Sequence, residues 1–235
     1  MARICSICVR GGSKGVLGKN HKLLMGKPLI AHSILQALET GLFDEISVSS
    51  DSDLLLEISE NYGVKNLIKR PLDMANDTAP KLPAIRHCVR ETEKITGKSF
   101  ATCVDLDATS PLRNLSDVVN VVRLLEESTA GNILTAMPAR RSPYFNLLEL
   151  SEDGAPVLSK PPKTAVDRRQ DSPQCFDMNG SIYAWTYQSL MESEGLFNFD
   201  SRLYVMPEER SIDIDTDIDF EFVEFIMSKR LKNQI

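Results

Sequence analysis

The sequence predicts an α/β protein with a mostly parallel sheet covered on both faces by helices, and three observations predict it. Short apolar runs at Ile4–Val9, Glu45–Ser49, Phe100–Leu106 and Asn132–Met137 alternate with helical patterns at Leu29–Thr40, Asp53–Tyr62, Lys81–Thr96 and Ser116–Glu127. That β-α-β-α order is what parallel strands joined by crossover helices require. Gly41, Gly63 and Gly97 fall just past three of the helical patterns, where a left-handed C-cap is wanted. The first apolar run breaks directly into Arg10-Gly11-Gly12-Ser13-Lys14-Gly15, and in open parallel sheets ligands gather outside the carboxyl ends of strands.

Taken in order, Ile4–Val9 is a buried strand and the residues after it form an anion-handling loop. Three glycines let backbone N–H groups approach an anion where a β-carbon would obstruct. Arg10, Lys14 and Lys19 add charge. A Walker loop needs G-x-x-x-x-G-K-[ST] and a dinucleotide fold needs G-x-G-x-x-G running into a helix; neither spacing is met, so the loop points to nucleotides of a different class. Further along, Asp51, Asp53 and Ser116 or Asn114 are candidate N-caps. Between about Ala139 and Gln174 no helix fits: a strand at Leu147–Leu150 and a Glu152-Asp153-Gly154 turn interrupt a polar stretch. Strand-like Ser181–Tyr187 then returns to the core, and a last helix runs from Asp217 to about Lys229. The organisation is therefore residues 1–138 with 175–235 as one α/β unit, interrupted at 139–174 by a stretch of different pattern.

The chain has 235 residues with 42% hydrophobic content, enough for a sizeable core. A net charge of −6 argues against a nucleic-acid binder, which draws on many Lys and Arg contacts to phosphate. No window suits a membrane span or a signal peptide, and five scattered cysteines suit a reducing compartment, so a cytoplasmic protein is expected. Cys5 and Cys8 lie three apart on a strand and point to opposite faces, which favours burial over metal binding. His21, His32 and His87 form no ligand spacing.

Near the end, Ile212-Asp213-Ile214-Asp215-Thr216-Asp217 alternates apolar and acidic residues. A strand would put Asp213 and Asp215 on one face. Mg²⁺ (or Mn²⁺) takes oxygen ligands and is commonly held by one or two carboxylates together with substrate phosphates, so these two are the metal candidates, while Asp217 and Asp219 suit the first turn of the following helix.

The segment Arg10-Gly-Gly-Ser-Lys-Gly-Val-Leu-Gly-Lys19-Asn20 resembles the signature of the CMP-sialic acid synthetases, also called acylneuraminate cytidylyltransferases. Four further blocks follow in that family's order: Arg70-Pro71 with Asn76-Asp77-Thr78-Ala79, Thr109-Ser110-Pro111-Leu112-Arg113, Asn179-Gly180-Ser181-Ile182-Tyr183, and Ser211-Ile-Asp213-Ile-Asp215-Thr216. The resemblance covers nearly the whole chain. It implies a Rossmann-like three-layer nucleotidyltransferase that condenses CTP with an acidic nine-carbon 2-keto sugar, releasing pyrophosphate. It also implies a homodimer packed through the 139–174 excursion.

Carried onto this sequence, the resemblance gives a CTP site of Arg10, Gly11, Gly12, Ser13, Lys14, Lys19, Asn20, Arg70, Ala79 and Lys81. Arg10, Ser13 and Lys14 would hold the outer phosphates, Lys19 the α-phosphate, and Asn20 the ribose or the loop itself. Arg70, Ala79 and Lys81 would read the base. The sugar side would comprise Asp107, Thr109, Arg169, Asp177 and Asn179. Arg169 serves there as the clamp on the substrate carboxylate, for which a guanidinium fork is suited, and is grouped with Lys19 and Arg10 as catalytic. Two departures lie on the sugar side: the family's usual Gln is Asp107 here, and Asp177 stands where some members carry Arg. These blocks look more like the branch that activates legionaminic acid. Pseudaminic or octulosonic acid substrates, or a non-catalytic nucleotide-binding module, are the rival readings. No side chain stands out as a general base.

Overall fold

A computed structural model of the protein describes residues 2–12, 15–76, 79–162 and 168–232. Its strands are β1 (Ala2–Cys8), β2 (Leu23–Leu24), β3 (Lys27–Pro28), β4 (Glu45–Ser50), β5 (Asn66–Lys69), β6 (Phe100–Leu106), β7 (Asn132–Pro138), β8 (Leu148–Leu150), β9 (Pro156–Leu158), β10 (Phe176–Thr186) and β11 (Arg202–Val205). The helices are α1 (Leu29–Thr40), α2 (Asp53–Asn61), α3 (Lys81–Thr96), α4 (Leu115–Glu126), α5 (Tyr187–Glu192) and α6 (Asp217–Lys232). Seven strands form one sheet in the order β11-β7-β10-β6-β1-β4-β5. All neighbours pair in parallel except β10, which runs antiparallel to both β6 and β7. The predicted fold class is what is found.

The central strands are buried on both faces, which is why they read as continuous apolar runs rather than as alternation. Ile7, Val48, Val104 and Ile133 meet α1, α2 and α4 residues such as Ile34, Leu55 and Val121 in one core; Ile4, Cys103 and Trp185 meet Ile85 and Val89 of α3 in another. Cys5 points into the first of these cores and Cys8 lies against the second, as strand alternation predicts. Gly41 (φ 61°) and Gly97 (φ 69°) are the left-handed C-caps of α1 and α3. At α2 the N-cap is Ser52 rather than Asp51 or Asp53. Asn114 caps α4 through a reciprocal box with Asp117.

Three expectations need correction. The Ile212–Asp217 segment is extended but is no strand, because its N–H groups go elsewhere: Ile214 N–H donates to the Thr109 carbonyl (2.9 Å), and those of Asp215 and Thr216 donate to the Asp219 carboxylate (3.2 and 2.8 Å). The excursion carries a two-stranded ribbon, β8 with β9, where one strand at Leu147–Leu150 was expected. Two sheet strands, β5 and β11, and the short helix α5 have no counterpart in the sequence reading.

Candidate active site

At the carboxyl edge of the sheet β1, β5 and β6 all end beside one cleft of about 460 Å³. The structure brings Arg10, Gly12, Lys19, Asn20, Arg70, Ala79, Lys81, Asp107, Thr109, Asp213 and Asp215 to its walls. Ser13 and Lys14 lie outside the described residues, as do Asp77 and Thr78.

The glycine loop and the C-terminal acids meet across this cleft. A Cβ on Gly15 would fall 2.0 Å from the Asp215 carbonyl oxygen, so only glycine permits that approach. Lys19 Nζ donates to the Ile214 carbonyl and lies 3.5 Å from Asp215 Oδ1. Behind the loop, Asn20 Nδ2 donates to the Arg10 carbonyl (2.9 Å) while its buried Oδ1 has no hydrogen-bond partner. The Asn20 amide nitrogen thus serves the loop, and its oxygen is the group still requiring a donor. Gly11 N–H donates to Asp51 Oδ1 (2.9 Å), so its donor is spent inside the protein.

The acidic segment is held from below. Asp117, wholly buried, accepts Nε and Nη2 of Arg210 at 2.9 and 3.0 Å, and Arg230 donates to the carbonyls of Leu112 and Glu209. Ile214 sits in an apolar cluster with Leu24, Leu112 and Phe220. The apolar residue between the acids faces inward and both acids line the cleft. Burial pushes the Asp213 carboxyl above the usual range, with nearby Asp107 adding to the effect. At the start of α6, Thr216 and Asp219 form a reciprocal cap and Asp217 pairs with Lys22 (2.9 Å), so these two acids serve the helix and its neighbours as expected.

The cleft floor carries a denser charge cluster. Lys81 Nζ lies 2.6 Å from Asp107 Oδ2 and 2.9 Å from Asp105 Oδ2, and Asp105 Oδ1 accepts from Ser6 Oγ (2.8 Å). Burial would raise the Asp107 carboxyl, but Lys81 and two bonds from Thr109 more than reverse that and bring it to about 2. The same acids outweigh burial at Lys81 and raise its ammonium above the ordinary value. Arg113, buried, donates Nε to Ser181 Oγ (3.0 Å) and Nη1 to Ser33 Oγ (3.2 Å); burial lowers it to about 10, still a cation at neutral pH.

Several assignments change in the light of this geometry. Lys81 lines the cleft as expected, with its ammonium directed at the Asp105 and Asp107 carboxylates. Arg70 donates Nε and Nη2 to Ser49 Oγ and the Ser49 carbonyl (3.2 and 2.9 Å), which fixes the guanidinium at the cleft wall. Asn179 is buried and its side chain is engaged in the framework, outside the lining of the first cleft: Nδ2 donates to Ser211 Oγ (2.9 Å) and Met206 Sδ, and Oδ1 accepts from Thr135 Oγ1 (2.7 Å) and Ser181 N–H. Arg169 donates to the Ala139 carbonyl and lines a second cleft of about 540 Å³ with Arg141 and Gln170, which shares no lining residue with the first. Asp177 accepts from Arg140 N–H (3.1 Å) and also lies outside the first cleft. Among the described residues, then, none of the excursion lines the first cleft.

Sequence reasoning gave no role to Asp105, Arg113 and Tyr183, which surround the charge cluster beneath the cleft: Asp105 meets Lys81, Arg113 donates to the Asp107 carbonyl, and the Tyr183 ring lies 4.7 Å from Lys81 Nζ. A lone acid inside the apolar run Phe100–Leu106 was the available signal for Asp105, since a buried carboxylate demands a partner. Arg113 stood in a quoted block without a role.

Comparison with known proteins agrees with this geometry. A protein from Campylobacter coli called post-translational flagellin modification protein B is 38% identical over 227 residues, covering 97% of this chain and 95% of its own. A CMP-N,N'-diacetyllegionaminic acid synthase from Campylobacter jejuni is 40% identical over 230 residues, covering 98% and 96%. In fold, a solved CMP:2-keto-3-deoxy-manno-octonic acid synthetase complexed with CTP superposes with a TM-score of 0.73 at 16% identity, over 98% of this chain and 100% of that one. The model of the Cytidylyltransferase family matches residues 4–232, and the chain belongs to that family of nucleotidyltransferases.

Proposed function

We propose that this cytidylyltransferase couples CTP to an acidic nine-carbon 2-keto sugar of the legionaminic acid type, giving the CMP-sugar and pyrophosphate. The observation that carries the reading is the meeting of Lys19 and Asp215 across a single cleft, with the glycine loop on one side and Asp213 on the other. A nucleoside triphosphate carries about four negative charges, and its transfer chemistry depends on alignment and charge neutralisation rather than covalent help. Arg10 and the Gly12 backbone hold the outer phosphates. Lys19 stands at the α-phosphate, where charge builds as the anomeric hydroxyl attacks phosphorus and the bond to the β-phosphate breaks. The Asn20 Oδ1 acceptor takes a ribose hydroxyl.

Asp213 and Asp215 fit a small divalent cation such as Mg²⁺: both are oxygen donors and both line the cleft. Two carboxylates with phosphate oxygens making up the rest is the usual Mg²⁺ arrangement. When bound, the cation supplies Lewis acidity to the phosphate oxygens.

The likeness to the Campylobacter jejuni synthase supports the legionaminate type. A homodimer is part of the proposal, supported by exposed Leu148, Leu150, Val157, Phe176 and Met178 on and beside the excursion. A cytoplasmic setting is supported by five cysteines, all free of disulfides. Among the described residues no helix is long and apolar enough to cross a membrane.

Pyrophosphate release with each nucleoside triphosphate, against legionaminic, N-acetylneuraminic, pseudaminic and octulosonic acids, tests the reading. Release is expected with CTP and the legionaminate sugar. Preference for N-acetylneuraminate would defeat the sugar assignment, and no release with any pair would leave only a nucleotide-binding module.

A further inference from the structure

The cleft floor contains a lysine that spends its charge on the protein. Lys81 is the first residue of α3, and its ammonium is enclosed by Asp107 Oδ2 at 2.6 Å, Asp105 Oδ2 at 2.9 Å and the Tyr183 ring at 4.7 Å. The ring is itself buried and stacked on buried Trp185, with centroids 5.7 Å apart, which backs this wall with the core. Asp107 is fixed from behind as well. Its N–H donates to the Ser181 carbonyl (3.2 Å), and its carbonyl accepts from Ser33 Oγ (2.9 Å) and Arg113 Nη2. Its Oδ1 accepts twice from Thr109, at 3.1 and 2.9 Å. A carboxylate offers about four acceptor positions. Thr109 takes both of those on Oδ1 and Lys81 takes one on Oδ2, which leaves a single acceptor on the oxygen that Lys81 orients.

We propose that Lys81 is a positioning residue for sugar recognition: by holding Asp107 Oδ2 it presents one acceptor at a fixed angle to an N–H or O–H donor of the acidic sugar. The inference rests on the reading of Asp107 as a sugar contact. A carboxylate that can only accept selects a donor such as an amide N–H over an ether or keto oxygen, which would meet it lone pair to lone pair. Without Lys81 the Oδ2 oxygen would lose the one bond that orients it and face Asp105 uncompensated, while Thr109 still held Oδ1, and the acceptor would no longer be aimed.

The test is steady-state kinetics with CTP and the legionaminate sugar for Lys81→Met, Lys81→Arg, Asp107→Asn and Lys81→Met/Asp107→Asn. Lys81→Met and Asp107→Asn should each raise the sugar KM about tenfold or more while the CTP KM stays within about threefold. The double variant should be no worse than the poorer single one, since both act through one carboxylate, and Lys81→Arg should recover most of the loss. If Lys81→Met does not fold, Lys81→Met/Asp105→Asn removes one buried charge of each sign and carries the same expectation. An unchanged sugar KM in the Lys81 variant beside a raised one in Asp107→Asn overturns the role of Lys81 alone. An unchanged sugar KM in Asp107→Asn overturns the reading of Asp107 as well. A CTP KM that rises more than the sugar KM in Lys81→Met returns the lysine to the nucleotide and overturns the inference.

Discussion

The cleft and the excursion use the same chain in opposite ways. At the cleft, polar side chains are held by partners drawn from distant segments: Lys19 on Asp215, Lys81 on Asp105 and Asp107, Asn20 on the loop it supports. In the excursion the large side chains stand open, with Leu148 58% and Leu150 75% exposed on a ribbon of two short strands. A rigid parallel sheet can aim charges because its strand ends are fixed by burial on both faces. A two-stranded ribbon has no such support and is marginal in water unless something covers it. The cleft's side chains are preorganised within one chain, whereas the excursion leaves its apolar side chains uncovered.

The largest expected effect breaks the first half of that comparison. Asp215→Ala removes a carboxylate that is exposed (76%) and carries little packing, so the melting temperature should change little while kcat falls by about 100-fold or more. A variant that melts early but turns over normally would make Asp215 a purely structural residue, and the cleft would then lack one side of its charge arrangement.

What could be read from the sequence divides along the same line. α1 and α3 have the bounds expected of them, because each has a long apolar face and a terminal glycine. β5 and β11 were not legible: each has four residues at an edge of the sheet, too few to establish a period. The acids of the Ile212–Asp217 segment were found although its secondary structure was misread. Alternation depends only on an extended backbone, while a strand also needs a neighbour, and here the Thr109 carbonyl and the Asp219 carboxylate take the N–H groups a ladder would use. Arg169, Asp177 and Asn179 were placed together at the sugar by resemblance to blocks that follow in the family's order along the chain. Order does not reveal that Asn179 points into the framework or that Arg169 lines a cleft separate from that of Lys19, since both outcomes depend on contacts between distant segments.

A charge on the ribbon tests the second half. Leu148→Glu/Leu150→Glu should halve the solution mass measured by light scattering, because two carboxylates desolvated in an apolar interface cost several kcal/mol. An unchanged mass would mean that the ribbon is not what pairs the copies. The nucleotide cleft lies outside the ribbon, so CTP should still protect the double variant against thermal unfolding.

The smallest expected effect separates the regions by pH. Asp107 in the cleft has its carboxyl lowered from 3.8 to about 2, so the fold binds its proton less tightly than the unfolded chain does. Its contribution is therefore fully present above pH ~4, and on the order of 2 kcal/mol is lost as the pH falls from about 4 to 2. Asp153, at the turn of the ribbon, is also lowered, by a bond from Ser151, but it is exposed to water that screens the interaction. Urea midpoints measured from pH 5 to 2 should then show wild type losing its advantage over Asp107→Asn across that window, while Asp153→Asn tracks wild type throughout. Parallel curves for wild type and Asp107→Asn would mean that the Lys81 pairing is no tighter in the fold than in the open chain, and the contrast between a preorganised cleft and an unfinished excursion would lose its electrostatic basis.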